Sequence, residues 1–522
     1  MNGAAPPRRE WLAAALLALA WLGASAWLRP LMLPDEGRYA GVAWEMLRSG
    51  DWLTPTLDGL PFFHKPPLFY WVTAGAMQVF GLNEFAARAA SLLAAAAAAG
   101  ALFAFVNRWR DRRAAGIVLI VLLAQPLWTL GGQFANLDML VAACISGTIL
   151  LFAHAALCEQ RALPYHRALA GAYAMAALGV LAKGLIGALL PALVIVSWLA
   201  MQRQRRTLRA MLWWPGGVLF VLITAPWFVV MQMRHAEFFD YFFIVQHFKR
   251  FTSGGFNNVM PFWFYPAALA LCTLPWWPWM RGMVRRGALH EAQQGDVRML
   301  MWLWLGSIVL FFSLPASKLL GYVLPAVPPL AWLIADAYLR VDMASTRRQR
   351  LWWASAGVAG AVSMGAVIAL TVQPQHSSRD LARALAKHRA PHETVYLLGL
   401  FDYDLPFYAR LRAPIVVVDR WGDPDFVAHD NWRKELIDAG RFAPSAADQV
   451  LLQPEALASS LCAGTVSWVV GSTEMTGTHP FLTEAAEAAR QRDTRLWMID
   501  PAWPKLAAAL GCAAREHGEA AH

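Results

Sequence analysis

Arginine clusters punctuate this chain at intervals set by long apolar runs, and that alternation limits the possible folds more than any other feature. Arg108, Arg110, Arg112 and Arg113 form one cluster, and Arg203, Arg205, Arg206 and Arg209 a second. Arg281, Arg285 and Arg286 form a third, and Arg347, Arg348 and Arg350 a fourth. Basic clusters between hydrophobic spans read as the cytoplasmic loops of a polytopic membrane protein under the positive-inside rule. Composition agrees: 58% of residues are hydrophobic and only 15% charged, where soluble domains carry roughly a quarter. The 26 Trp residues suit a chain with many membrane–water interfaces. The net charge of +10 is explained by these loops, so no nucleic-acid partner is called for.

Hydropathy places spans near 11–28, 86–106, 114–130, 139–157, 168–182, 184–201, 211–233, 261–280, 299–314, 319–338 and 351–372. The expectation is an α-helical polytopic membrane protein with about eleven transmembrane helices, some of them short. The first run follows Arg8 and Arg9 and resembles a signal peptide, down to Ala24-Ser25-Ala26. It is about long enough to span and many spans follow, so it reads as an uncleaved first helix. With Arg8 and Arg9 inside, every basic cluster also falls inside. The apolar stretch 168–201 carries Lys183 at its middle. A lysine at the bilayer centre would cost several kcal/mol, so the stretch reads as a hairpin with Lys183 at the outer surface.

The same topology puts the loop 29–85 outside, with helical spacing over Glu36–Leu47 and Pro67–Phe80 that suits interfacial amphipathic helices. Residues 1–372 then form a transmembrane domain and 373–522 a polar outer domain. The tail reads as helix over Arg379–His388 and strand over Val395–Leu400, Ile415–Val418 and Val466–Val470, which suggests an α/β domain. Cys144, Cys158 and Cys272 lie in or beside spans as packing residues. Cys462 and Cys512 fall in the tail, where a disulfide could persist outside the cytoplasm, although spacing alone does not set its geometry.

The outer loops concentrate the residues with chemistry. Asp35, Glu36 and Arg38 open the first loop; acidic residues suit a helix start, and Arg38 falls on the same helix face as Asp35. The pair is either a surface ion pair worth little or a carboxylate beside a phosphate-binding guanidinium. His64-Lys65-Pro66-Pro67 fixes a lysine beside two prolines. Lys65, Lys183, Arg250 and Lys318 all fall outside, against the positive-inside bias, and an anionic lipid headgroup is their natural partner. Asp138 follows Asn136 at the outer end of the fourth span; Tyr322 and His247 lie in outer segments too. No Walker loop, HExxH or CxxC motif calls for a cofactor. Asp35, His64 and His247 are the side chains that would gather round a divalent ion, with one His per segment giving that idea little weight.

Taken in order, several segments resemble the bacterial membrane glycosyltransferases of the GT-C type, and among them the lipid A aminoarabinose transferases. That group lies in the superfamily that includes the protein O-mannosyltransferases. The segments are Leu33-Pro34-Asp35-Glu36-Gly37-Arg38-Tyr39-Ala40, Glu45–Trp52, His64-Lys65-Pro66-Pro67, Asn136-Leu137-Asp138, Leu181-Ala182-Lys183-Gly184, His247–Phe251, Leu274-Pro275-Trp276 and Ser317–Pro325. The resemblance implies a polyprenyl-phosphate-linked sugar donor, an inverting transfer on the periplasmic face of the inner membrane, and no required cofactor. It implies that Asp35 is the first-loop catalytic aspartate and Asp138 a second acidic group. Lys65, Arg250 and Tyr322 would hold the donor phosphate, helped by Arg38, Lys183 and Lys318, with Glu36, His64 and His247 lining the site. Two positions depart from the family pattern, which has acidic residues where this chain has His64 and Gln246; both bear on any family metal site and on acceptor choice.

The expected acceptor is lipid A. Protein or another envelope glycan is the alternative within the same chemistry, and a lipid-linked sugar flippase is the alternative outside it. Charges gathered at one face favour the enzyme, because a transporter places polar groups within its central spans.

Overall fold

The structure is a computed structural model that describes residues 8–249, 258–280, 283, 295–340, 345–372 and 377–512. In chain order its first helices are α1 (Arg8–Gly23), α2 (Asp35–Ser49), α3 (Leu68–Phe80), α4 (Glu84–Trp109), α5 (Arg112–Leu123), α6 (Pro126–Gly132), α7 (Leu137–Glu159), α8 (His166–Lys183), α9 (Ile186–Met201), α10 (Arg205–Met211) and α11 (Trp214–Arg234). Helices at Phe264–Cys272, Trp277–Met280, Gly295–Ser313, Val327–Leu339 and Thr346–Val372 follow. The chain divides into two compact units. One comprises residues 1–29 and 63–374; the other comprises 30–62 and 375–522. The stretch 30–62 thus groups with the tail, which sequence order alone does not reveal.

The first unit is helical. Among the described residues, six helices are long and apolar enough to cross a membrane. A seventh arises only if α5 and α6 are one broken span, bent by 72°. Pro126 opens α6 and has no N–H to bond back, so the ladder breaks there. The remaining apolar segments of the sequence also form helices, among them α1, α8 and α9, but shorter or less apolar ones. Side-chain caps start α4 and α5: Asn83 accepts from Ala86 N (2.9 Å) and Asp111 from Ala114 N (2.8 Å). The α8–α9 pair turns at Gly184, whose φ of +89° suits glycine. Gly179 and Gly187 let the two backbones touch, since a Cβ on either would strike the other helix. Buried charge in this unit finds partners, some of them carboxylates and others backbone carbonyls. Asp336, 1% exposed, accepts from Arg298 (2.9 Å) and Arg110 (2.7 Å) and pairs with Arg340 (3.0 Å). Arg88, fully buried in α4, donates to the carbonyls of Ala26 and Arg29.

The second unit is α/β. The hairpin β1 (Thr56–Leu57) and β2 (Leu60–Pro61) turns at Asp58-Gly59, both with positive φ, the Asp-Gly signature of a tight hairpin. The main sheet comprises β3 (Thr394–Leu398), β4 (Val416–Val418), β5 (Leu451–Leu452), β6 (Ser467–Ser472), β7 (Ala486–Gln491) and β8 (Thr494–Ile499), in the order β5-β4-β3-β6-β8-β7. β3 to β6 run parallel, with Leu397 opposite Val417 on one side and Val470 on the other. β8 joins β6 antiparallel and β7 joins β8 antiparallel. The strands read from the sequence are β3, β4 and β6. Leu398, Val469, Trp497, Ile499, Leu461 and Leu506 make the core. A disulfide joins Cys462 to Cys512 across a Cα separation of 5.4 Å, tying helix Leu457–Ala463 to the end of helix Pro504–Leu510.

α2 belongs to this unit, and its glycines explain its fit. A Cβ on Gly37 would lie 2.8 Å from Asp404 N, and one on Gly41 would lie 3.3 Å from Tyr403 O. The glycine face of α2 therefore packs directly on the loop that follows β3. Further along, Trp44 and Arg48 donate to Leu411 O (3.3 and 2.7 Å).

Candidate active site

In the helical unit, three sequence-expected residues meet. Asn136 has extended backbone and its side chain accepts from Asp138 N (2.8 Å), which starts α7. Asp138 thus sits in the first turn, where the partly positive helix end favours a carboxylate. Lys183 ends α8, and its ammonium bonds Asp138 Oδ1. The same ammonium lies 4.3 Å from the centre of the Tyr322 ring. The side chains of Asp138 and Lys183 are 7% and 12% exposed, so the pair is largely desolvated. Gly321 completes the cluster: a Cβ there would collide with the Asp138 carboxylate.

Lys318 serves the turn that presents Tyr322. Its Nζ donates to the carbonyls of Met260 (2.9 Å) and Pro315, and it is 3% exposed. Its backbone N donates to Asn258 O (3.0 Å), and Tyr265 Oη donates to Leu319 O (3.0 Å). At least two of the three ammonium donors are therefore spent on backbone, which is a structural use that the sequence does not reveal.

The first-loop motif packs on His235, Phe238 and Tyr241, the last of which lies in a π-helical segment, Asp240–Lys249. The Phe63 ring lies 4.9 Å from His235 and 5.1 Å from Phe238, and the His64 ring lies 5.9 Å from Tyr241. Gln246 Nε2 donates to Tyr241 Oη (3.0 Å). His64 and Gln246 are the two departures from the resembled pattern, and both meet Tyr241. Lys65 is half-buried. Arg250 and the side chain of His247 lie outside the described residues. Among the described residues, no three His, Cys, Asp or Glu side chains gather in a metal-binding group.

In the α/β unit, Arg38 bridges two carboxylates. Its Nη1 donates to Glu435 Oε1 (2.5 Å) and its Nη2 to Asp35 Oδ1 (3.1 Å). The Tyr403 hydroxyl donates to Glu435 Oε2 (2.6 Å), and the Arg38 guanidinium lies 5.1 Å from the Tyr403 ring centre. Asp35 keeps 30% of its side chain exposed at the start of α2, while Arg38 keeps 14% and Glu435 8%. Burial pushes the Glu435 carboxyl above its usual range, against the pull of Arg38 and the Tyr403 hydrogen bond. Glu36 is fully buried and accepts from Met32 N (3.0 Å), which fixes the entry to α2.

The family model described as dolichyl-phosphate-mannose-protein mannosyltransferase matches residues 64–229. The undecaprenyl phosphate-α-4-amino-4-deoxy-L-arabinose arabinosyl transferase of Aeromonas hydrophila subsp. hydrophila is 30% identical over 453 residues, which are 84% of this chain and 81% of the relative. The chain belongs to this arabinosyl transferase family. It is accordingly a GT-C glycosyltransferase and a multi-pass inner-membrane protein. Two solved folds agree. ArnT from Cupriavidus metallidurans, in a crystal structure bound to undecaprenyl phosphate, superposes with a TM-score of 0.80 at 24% identity, covering 95% of this chain and 99% of that one. The archaeal oligosaccharyltransferase AglB from Archaeoglobus fulgidus reaches 0.54 at 13% identity, covering 91% and 70%.

Three residues of this arabinosyl transferase homologue escape a reading of its sequence. Tyr241 sits in an aromatic run and looks like interface packing. Tyr403 lies between Asp402 and Asp404 in the loop after β3, a pattern that the sequence does display. Glu435 sits in helix Trp432–Gly440 with no motif around it. Only the fold brings it to Arg38, 397 positions away.

Proposed function

We propose that this arabinosyl transferase family member moves an aminoarabinose-like sugar from polyprenyl phosphate to lipid A at the periplasmic face of the inner membrane. The observation that carries the reading is the relationship over 84% of the chain to a relative named for undecaprenyl phosphate-linked aminoarabinose. The Cys462–Cys512 disulfide supports the sidedness, because such bonds persist in oxidising compartments. About eleven spans, counting the short helices, bring the tail to that side.

In the reaction an acceptor oxygen attacks the anomeric carbon while the bond from that carbon to the phosphate oxygen breaks. The electron pair leaves with the polyprenyl phosphate, and attack opposite the phosphate inverts the centre. The developing negative charge needs fixed cations and donors. Lys65, Arg250 and Tyr322 take that role, with Lys183 held ready by Asp138 and Lys318 shaping the turn that carries Tyr322. Asp35 is the catalytic carboxylate. It takes the proton from a hydroxyl acceptor, or orients an already ionised phosphate acceptor and stabilises positive charge on the sugar. Arg38 orients Asp35.

Mass spectrometry of lipid A tests the proposal in a host that makes the donor, with the gene, without it, and with Asp35→Ala. A sugar-sized mass gain that requires both the gene and Asp35 is expected. Unmodified lipid A in cells that express the protein would reject the acceptor, and direct attention to glycoprotein or other glycan products.

A further inference from the structure

The main sheet has a change of direction built into its strand order. From β3 the chain adds β4 and β5 on one side and then β6 on the other. In doubly wound sheets the crevice at the carboxyl ends of the strands beside such a switch is the usual place for a ligand. Here the loop leaving β3 at that switch carries Gly399 at φ +63° and then Phe401, Asp402, Tyr403 and Asp404. It is this loop that receives α2 on Gly37 and Gly41. The sheet's switch-point loop serves as a socket for the helix that begins with Asp35.

We infer that Glu435 and Tyr403 are positioning residues for sugar transfer: they lock Arg38, and Arg38 locks the Asp35 carboxylate. An exposed Asp–Arg pair three residues apart on a helix is worth little and samples many rotamers. This one differs because Glu435 takes the other arm of the guanidinium and Tyr403 lies against its face. Glu435 is itself fixed through its second oxygen by the Tyr403 hydroxyl. The socket holds Tyr403 in turn: Asp404, fully buried, accepts from Ser377 Oγ (2.7 Å), Ser378 Oγ (2.5 Å) and Ser378 N (3.1 Å). One oxygen of Asp35 is thus anchored to Arg38, and among the described residues the other has no partner, which leaves it for the acceptor.

The inference rests on Asp35 being the catalytic carboxylate, and the experiment separates the two ideas. Full-length Asp35→Asn, Glu435→Gln and Tyr403→Phe are compared with wild type in proteoliposomes for kcat and for KM of the polyprenyl-linked donor. Thermal unfolding is followed in parallel. Glu435→Gln removes the charge that holds Arg38 and should lower kcat about tenfold or more, with KM changed by less than about twofold. Tyr403→Phe keeps the ring and loses only the hydroxyl, so it should fold normally and lower kcat by about threefold. Glu487→Gln, which disturbs an exposed pair with Arg490 and Arg495 in the same unit, should change neither constant. If Asp35→Asn is inactive while folded Tyr403→Phe and Glu435→Gln keep the wild-type kcat, or lose only donor affinity, the positioning role is overturned. If Asp35→Asn keeps the wild-type rate, the assignment of Asp35 fails, and the inference fails with it.

Discussion

The two units each place a carboxylate against a cation, and they do so by opposite means. In the helical unit, Asp138 and Lys183 come from helix ends, and the pair is closed off by Tyr322 and the bare backbone of Gly321. Each side chain is aimed by its own helix terminus, so few other residues are needed. In the α/β unit, Asp35 and Arg38 share one turn of α2, yet they are held by Glu435 and Tyr403 from the distant tail. The first arrangement is largely desolvated and draws on local partners. The second keeps its carboxylate at 30% exposure and relies on long-range partners to prevent it from wandering. In the proposed reaction Asp35 meets the acceptor and so has to stay accessible, and its order then comes from Arg38, Glu435 and Tyr403.

Lys183→Ala leaves the Asp138 carboxylate buried and uncompensated, which should cost about 3–5 kcal/mol and lower the thermal unfolding temperature sharply. The double change Asp138→Asn with Lys183→Met removes both charges and should recover most of that stability without recovering transfer. If Lys183→Ala unfolds like wild type, the pair is not the desolvated one described.

A smaller effect concerns pH and the socket in the α/β unit. Burial, reinforced by Asp404, raises the Asp402 carboxyl to about 7. Burial also raises Asp404 to about 6, against its hydrogen bonds from Ser378 and Ser377. A carboxyl raised on folding favours the folded state most when it is protonated. That contribution is complete below the unfolded value near 4 and is lost as pH rises through 6 to 7. The unfolding temperature should therefore be a few degrees higher at pH 5 than at pH 8, and Asp402→Asn should flatten the difference. A rise in stability over the same window would contradict the sign.

What the sequence revealed follows the same division. Local signals read through: the Asn-Leu-Asp start of α7, the Lys-Gly end of α8, the i,i+3 spacing of Asp35 and Arg38, and the apolar strands β3, β4 and β6. Residues whose meaning depends on a distant partner did not. Glu435 looks like an ordinary helix carboxylate until Arg38 arrives. Lys318 looks like an exposed cation, whereas its donors close a turn onto Met260 and Pro315. β7, with the sequence Ala486-Glu487-Ala488-Ala489-Arg490-Gln491, has helix-forming composition and is a strand because β8 pairs with it. The grouping of 30–62 with the tail was hidden for the same reason, since α2 is recruited by contacts with residues far along the chain.

The most direct measurement reconstitutes the purified chain in vesicles with a polyprenyl-phosphate-linked aminoarabinose donor and lipid A, and compares wild type with Asp35→Asn. The account predicts sugar appearing on lipid A together with one released polyprenyl phosphate per transfer, and a rate at least about a hundredfold lower for folded Asp35→Asn. Transfer at the wild-type rate by Asp35→Asn, or no transfer by the folded wild-type protein, would contradict it.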